Sequence, residues 1–175
     1  MRARIIRIAF NDLLARSATA ALTSLGEQQA HRVADRLANA PIERLYCSPF
    51  VRAYLTAQAI GERIGLEPQL LDDLREVLPR PLAGDSPSRL GRLFVRSYLG
   101  MLVPGESGES WRDGYARARR AFATVTAQPA REVAAVAHRA TIGLILFALD
   151  RDPAWRVISR DLSNAGVSIA IRKRF

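Results

Sequence analysis

The chain has one cysteine, Cys47, and two histidines, His31 and His138, among 175 residues. A lone cysteine excludes an internal disulfide framework and a multi-cysteine metal site. Cys47 and the two histidines are well separated in sequence, which leaves no ligand cluster, so neither a metal nor another cofactor is expected. Long apolar runs are equally scarce: the longest apolar stretch, 140–149, is too short to cross a bilayer and ends at Asp150. The N-terminus lacks the continuous apolar stretch and cleavage site of a secretory signal, so the expected address is cytoplasmic, with no membrane partner. Lysine is nearly missing. Lys173 is the only one, so arginine carries the net charge of +9. That bias fits a GC-rich genome as readily as a functional patch. The arginines (Arg32, Arg36, Arg63, Arg89, Arg92, Arg117, Arg119 and Arg120) scatter along helical stretches without interleaved aromatics, which reads as solvated surface and argues against nucleic acid. The single basic run, Arg172-Lys173-Arg174, is short.

What is present alternates between two periodicities. Residues 3–9 are apolar and isoleucine-rich, as in a buried parallel strand. A helix begins near Ser24, where Ser24 and Glu27 have capping-box spacing, and Leu25, Ala30, Val33, Ala34 and Leu37 fall on one face. A short strand at 44–47 leads into Ser48-Pro49, which opens a second helix because proline suits a first helical turn. Phe50, Ala53, Tyr54, Ala57, Ile60 and Ile64 form its expected buried stripe, and Gly65 its stop. An edge strand is expected at 69–71, a proline-rich loop at 77–86, and a helix opened by Ser86-Pro87 with Leu90, Leu93, Phe94 and Tyr98 at helical spacing. Gly105 and Gly108 mark a loop, after which Ser110 caps a helix displaying Trp111, Tyr115, Ala118, Phe122 and Val125. The run 132–137 is a central-strand candidate, 140–149 a buried helix and 166–171 a last strand. This order predicts an α/β three-layer sandwich: a mostly parallel central sheet, helices on both faces, and strands 4–9 and 132–137 as central neighbours. With no repeat, linker or low-complexity tract, residues 1–175 read as one domain of ordinary size.

Ligands collect at the carboxyl ends of strands in such sheets. Arg7 ends the first strand, Arg52 lies on the first turn after Ser48-Pro49, and His138 ends the run 132–137. A guanidinium fork matches two phosphate oxygens, a histidine adds a donor, and helix N-termini favour negative charge. Taken singly, each has an ordinary structural reading: a surface arginine, a hydrogen-bonding histidine. Cys47 and Arg52 do not make a cysteine-phosphatase loop, because four residues rather than five separate them and no glycine-rich run follows.

The order of the words is more specific. Leu22-Thr23-x-x-Gly26-x-x-Gln29-Ala30 precedes Ser48-Pro49-x-x-Arg52-Ala53-x-x-Thr56-Ala57, then Leu74-Arg75-Glu76, Pro104-Gly105-Glu106-Ser107 and Val136-Ala137-His138. This succession resembles the histidine phosphatase superfamily, the phosphoglycerate-mutase-like proteins, over nearly the whole chain and most weakly in 77–103. The resemblance implies that Arg7, Arg52 and His138 bind phosphate and that Glu76 stands where many members carry the general acid. It also shows losses. The family opens with Arg-His-Gly, whose histidine accepts the phosphoryl group, but here Arg7 is followed by Ile8 and Ala9. Phe10, Asn11, Leu14, Leu55 and Arg139 are further departures around the same site. Isoleucine has no lone pair and cannot accept a phosphoryl group. The expectation is a degenerate, inactive site that still binds a phosphorylated small molecule, a phosphopeptide or another anion. Two alternatives stand beside it: a slow phosphomonoesterase using His138 or water with Glu76 as acid, and a non-catalytic interaction module whose pocket is filled by Phe10 and Arg139.

Overall fold

A computed structural model describes residues 1–7, 18–77, 88, 109 and 111–173. The expected loop at 77–86, the helix opened by Ser86-Pro87, the loop glycines Gly105 and Gly108, and Ile8, Ala9, Phe10, Asn11 and Leu14 lie outside the described residues, save for Val77. The elements run β1 (Arg2–Arg7), α1 (Ser24–Leu37), β2 (Ile42–Cys47), α2 (Val51–Ile64), β3 (Gln69–Leu70), a 3-10 turn (Asp72–Leu74), α3 (Trp111–Thr126), β4 (Glu132–Ala137), α4 (Arg139–Leu149), β5 (Trp155–Ser159) and β6 (Val167–Arg172).

They build a mixed sheet ordered β3-β2-β4-β1-β6-β5. The strands β3, β2, β4 and β1 are mutually parallel, and β6 runs against both β1 and β5. The two runs expected at the centre are neighbours there, in parallel register from Arg2 opposite Glu132 to Arg7 opposite Ala137. Beyond Glu132, β4 is wholly apolar, and β1 buries Ala3, Ile5 and Ile6 between its arginines, because both faces of this pair are covered. Val133, Ala135 and Ala137 join Ala3 and Ile5 in one core with Ala118, Ala121, Ile142 and Ile145 from α3 and α4. Ala134 and Val136 join Ile6 in a second core with Val33, Leu37, Ala53 and Ile60 from α1 and α2. The period-2 alternation of two strands thus divides the interior into two apolar layers. Each fully buried valine or isoleucine in them contributes about 1.5–3 kcal/mol.

Several local expectations need correction. The cap of α1 is Thr23, whose Oγ1 accepts from the Gly26 N–H at 3.1 Å; Ser24 is already the first helical residue. Leu25, expected in the buried face, is exposed, and Gly26 takes that place. Helix α2 starts at Val51 with Phe50 as its cap, two residues after the proline. Tyr54 is exposed, while Arg52 and Thr56 lie on the buried stripe. Gly65 does end the helix, at φ +74°, a left-handed conformation that glycine adopts without a Cβ penalty. Strand β5 was not anticipated: its burial alternates from Trp155 to Ser159, but the exposed position 158 is an isoleucine, which hides that alternation in the sequence. The largest discrepancy is Arg117, expected on the surface and only 1% exposed.

Candidate functional site

The parallel strands deliver their carboxyl ends to one edge of the sheet. There β1 ends at Arg7, β2 at Cys47 before Ser48, and β4 at Ala137 before His138. His138 is the N-cap residue of α4 and is fully buried. Its Nε2 lies 2.8 Å from the Ser48 hydroxyl. Ser48 is fixed in turn: its N–H donates to the Val136 carbonyl at 3.0 Å, and its Oγ accepts from the Phe50 N–H at 3.3 Å. The other ring nitrogen, Nδ1, is buried and has no hydrogen-bond partner among the described residues. Burial, followed by the charges of Arg52, Arg117 and Arg7, holds the His138 pKa well below the ordinary histidine value. The ring is therefore neutral, with one nitrogen engaged and one available.

Arg52 projects from the first turn of α2 and is 4% exposed. Phe50 stands between it and the histidine. The guanidinium lies 5.0 Å from the Phe50 ring centre, and that ring meets His138 edge-on at 5.1 Å. Burial lowers the Arg52 pKa, and Glu76 acts against that shift. Cation–π contact and a nearby carboxylate are what a buried guanidinium needs to stay charged.

Glu76 follows the 3-10 turn and is partly buried. Its Oε1 accepts from the Val77 N–H at 2.9 Å, and the backbone N–H groups of Thr141 and Ala140 also bond to its carboxylate. It thus sits on the N-terminus of α4, where orphan N–H groups favour an anion. Desolvation nevertheless dominates and raises its pKa above the ordinary carboxylate value, against the pull of Val77, Arg52, Thr141 and Ala140.

Arg7 reaches the site from another side. Its Nη1 donates to the Leu162 carbonyl at 2.5 Å, and its backbone N–H to the Gly166 carbonyl at 3.0 Å. The 161–166 loop is tight. A Cβ on Gly166 would fall 2.5 Å from Asp161 Oδ1, and Ala165 adopts a left-handed φ of +57°. Asp161 closes the loop on the Ser163 N–H at 3.0 Å, and that pairing with Ser163 lowers its pKa.

Arg7, Arg52, Arg117 and Glu76 are thus linked to one another or to His138 by charge. His31 is exposed on α1, directly after Ala30, and Arg139 is the partly buried first residue of α4. Burial pushes the Cys47 thiol up to about 12, which makes it a poor nucleophile. Among the described residues no group of three or more His, Cys, Asp or Glu could hold a metal ion. Sequence reasoning missed Ser48 as the partner of His138, although the Ser-Pro word marked the position. It also missed Arg117, whose place was legible: Gly114, Ala118, Ala121 and Val125 are small or apolar at helical spacing and put residue 117 on the buried face.

With this geometry in place, the comparisons with known proteins define the class. The chain belongs to the histidine phosphatase superfamily (branch 1), whose family model matches residues 11–174. The matched stretch begins after Arg7, Ile8 and Ala9. Among solved structures, a mycobacterial glucosyl-3-phosphoglycerate phosphatase determined with VO3 is 28% identical, with a TM-score of 0.69 over 87% of this chain and 83% of its own. YhfR of Bacillus stearothermophilus (20% identity, TM-score 0.71, 87% and 81% covered) shares the fold. So does the α-ribazole phosphatase of Shigella flexneri (20% identity, TM-score 0.67, 85% and 79% covered). No curated protein sequence matches significantly. Among the described residues no helix is long and apolar enough to cross a membrane.

Proposed function

We propose that this chain is a catalytically degenerate histidine phosphatase, which binds a phosphate-bearing small molecule, a phosphopeptide or a comparable anion through Arg7, Arg52 and His138. The observation that carries the reading is His138. A fully buried, neutral imidazole with one nitrogen on Ser48 and the other without a partner among the described residues, in the field of three arginines, is costly in an empty site. An anion accepting from Nδ1–H, with Ser48 Oγ donating to Nε2, would satisfy both ring nitrogens. Phosphoryl transfer through position 8 is unavailable, because Ile8 offers only carbon atoms. One cysteine, a family match over 164 of 175 residues (11–174) and no membrane-crossing helix among the described residues support a single cytoplasmic domain.

Phosphate, or vanadate by analogy with the mycobacterial relative's complex, should raise the melting temperature. At a hundred times its dissociation constant an anion adds about 2.7 kcal/mol. Arg52→Ala and Arg7→Ala should abolish the response while the proteins stay folded. A parent that ignores both anions would sink the binding reading and favour the interaction module with its pocket filled by Phe10 and Arg139. The second reading, a slow phosphomonoesterase, has one observation in its favour: the raised pKa of Glu76 beside Arg52 suits a proton donor. Steady hydrolysis of p-nitrophenyl phosphate that vanishes in both His138→Ala and Glu76→Gln would promote it. The expected result is no turnover above buffer.

A further inference from the structure

Arg117 is the largest fully buried side chain among the described residues, and nothing in the anion-binding reading uses it directly. Four of its five N–H donors are engaged. Nε and Nη2 clasp the two Glu109 oxygens at 2.7 and 2.6 Å, and Nη1 donates to the carbonyls of Asp73 and Arg75 at 2.7 and 2.8 Å. Those two carbonyls lie just before Glu76 in the chain. The Arg75 carbonyl also accepts from the Thr141 hydroxyl at 2.7 Å, and Thr141 is the residue whose backbone N–H reaches the Glu76 carboxylate. One helical turn along α3, Arg120 grips the Asp73 carboxylate at 3.1 Å. A chain therefore runs from Glu109 through Arg117 and the 73–75 backbone to Glu76 and the N-terminus of α4.

A plain ion pair would not require this arrangement. A buried Arg–Glu pair is often no more stabilising than apolar residues of the same volume. What a guanidinium adds is geometry: a planar fork that holds a carboxylate on one edge and carbonyls on the other. From these contacts we propose that Arg117 is a positioning residue, which fixes the backbone before Glu76 so that the Glu76 carboxylate is held on the first turn of α4, facing Arg52. Glu109 lies far from Glu76 in sequence, so the clamp joins a distant residue to the backbone before Glu76. The proposal rests on reading Glu76 as a residue of the site.

The test reads Glu76 itself. With 13C-carboxyl-labelled glutamate, its resonance is assigned by its loss in Glu76→Gln and titrated in the parent and in Arg117→Lys. Lysine keeps the charge that acts on His138 but cannot bridge Glu109 and two carbonyls at once. Desolvation is the largest influence on Glu76, ahead of its bonds to Val77, Thr141 and Ala140 and the charge of Arg52. Loosening it into water should therefore move the midpoint down, toward the ordinary glutamate value. A folded Arg117→Lys with a lower melting temperature and an unmoved Glu76 midpoint would reduce Arg117 to a structural staple and overturn the proposal. Should that variant not fold, Glu109→Gln weakens the clasp alone, and an unmoved midpoint there is equally fatal. Phosphate titration of the parent tests the binding reading separately, since the carboxyl titration needs no ligand.

Discussion

The central strand pair carries charge at both ends and handles it in two ways. At the amino end, Glu132 is nearly buried and is met by Arg4 Nε at 2.6 Å and Arg2 Nη1 at 3.1 Å, one arginine per carboxylate oxygen. At the carboxyl end of the same two strands stand Arg7 and His138, with Arg52 above them, and His138 keeps a buried nitrogen without a partner among the described residues. Sheet register forces the two ends together equally well, so topology does not explain the difference. The amino end closes its hydrogen bonds within the protein, as a structural cluster must. The carboxyl end gathers positive charge and leaves His138 Nδ1 unmatched among the described residues, the atom to which the proposed anion is assigned.

Removing Glu132 tests the closed end and should have the largest effect. Glu132→Ala leaves Arg4 partly buried without its counter-charge and should cost about 3 kcal/mol, the low end of the range for breaking a buried pair. Urea unfolding measures it, and the thermal response to phosphate should survive. A lost phosphate response in a folded Glu132→Ala protein would mean that the two ends are coupled through the strands and that the contrast between them is false.

Protonation tests the open end. Unfolded histidine titrates near 6.5 and His138 well below that, so the unfolded chain binds the proton first. Stability from His138 is thus complete above 6.5 and lost as pH falls from 6.5 toward the folded value, by about 1.4 kcal/mol per pH unit. Glu76 acts with the opposite sign. Its folded pKa lies above the ordinary 4.5, so its contribution is present at low pH and lost as pH rises through the folded value. Urea unfolding between pH 7 and 5 should therefore show a fall that His138→Gln flattens or reverses and Glu76→Gln steepens. A His138→Gln profile parallel to the parent's would show that the ring is not held neutral, and the account of the open end would fail.

Much of this frame was legible before the structure. The apolar run of β4 and the Ala3, Ile5 and Ile6 of β1 suit strands covered on both faces, and their central pairing followed from alternation with helices. Arg7, Arg52 and His138 could be placed at strand ends because those ends converge in any parallel sheet. Partner geometry was not legible. Ser48 meets His138 across 90 residues, and Arg117 meets the 73–75 carbonyls across more than 40, distances over which no local pattern speaks. Arginine on a helix usually means solvent, and the acceptors that meet four of its five N–H groups let Arg117 be an exception. The strand β5 escaped because Ile158 puts an apolar residue on its exposed face and blurs the alternation by which strands are recognised.

The smallest expected effect calibrates the other two, because it lies at neither end of the strand pair. The sequence pattern offered Ser24 with Glu27 as the cap of α1, but the structure places Thr23 there. The two residues are adjacent hydroxyls, so composition cannot separate them; backbone conformation does. Thr23 is extended, at φ −79° and ψ 166°, which turns its Oγ1 toward the Gly26 N–H, while Ser24 has entered the helix. Losing a threonine cap costs about 1 kcal/mol, since one of the orphan N–H groups of the first turn loses its acceptor. Thr23→Ala should therefore destabilise the protein by about that amount, whereas Ser24→Ala, at an early helical position where alanine is a better helix former, should be close to neutral. Both variants should retain the phosphate response and the parent's pH profile. Equal losses in the two would return the cap to Ser24, and a changed pH profile in Thr23→Ala would show that general destabilisation alone can imitate the His138 effect.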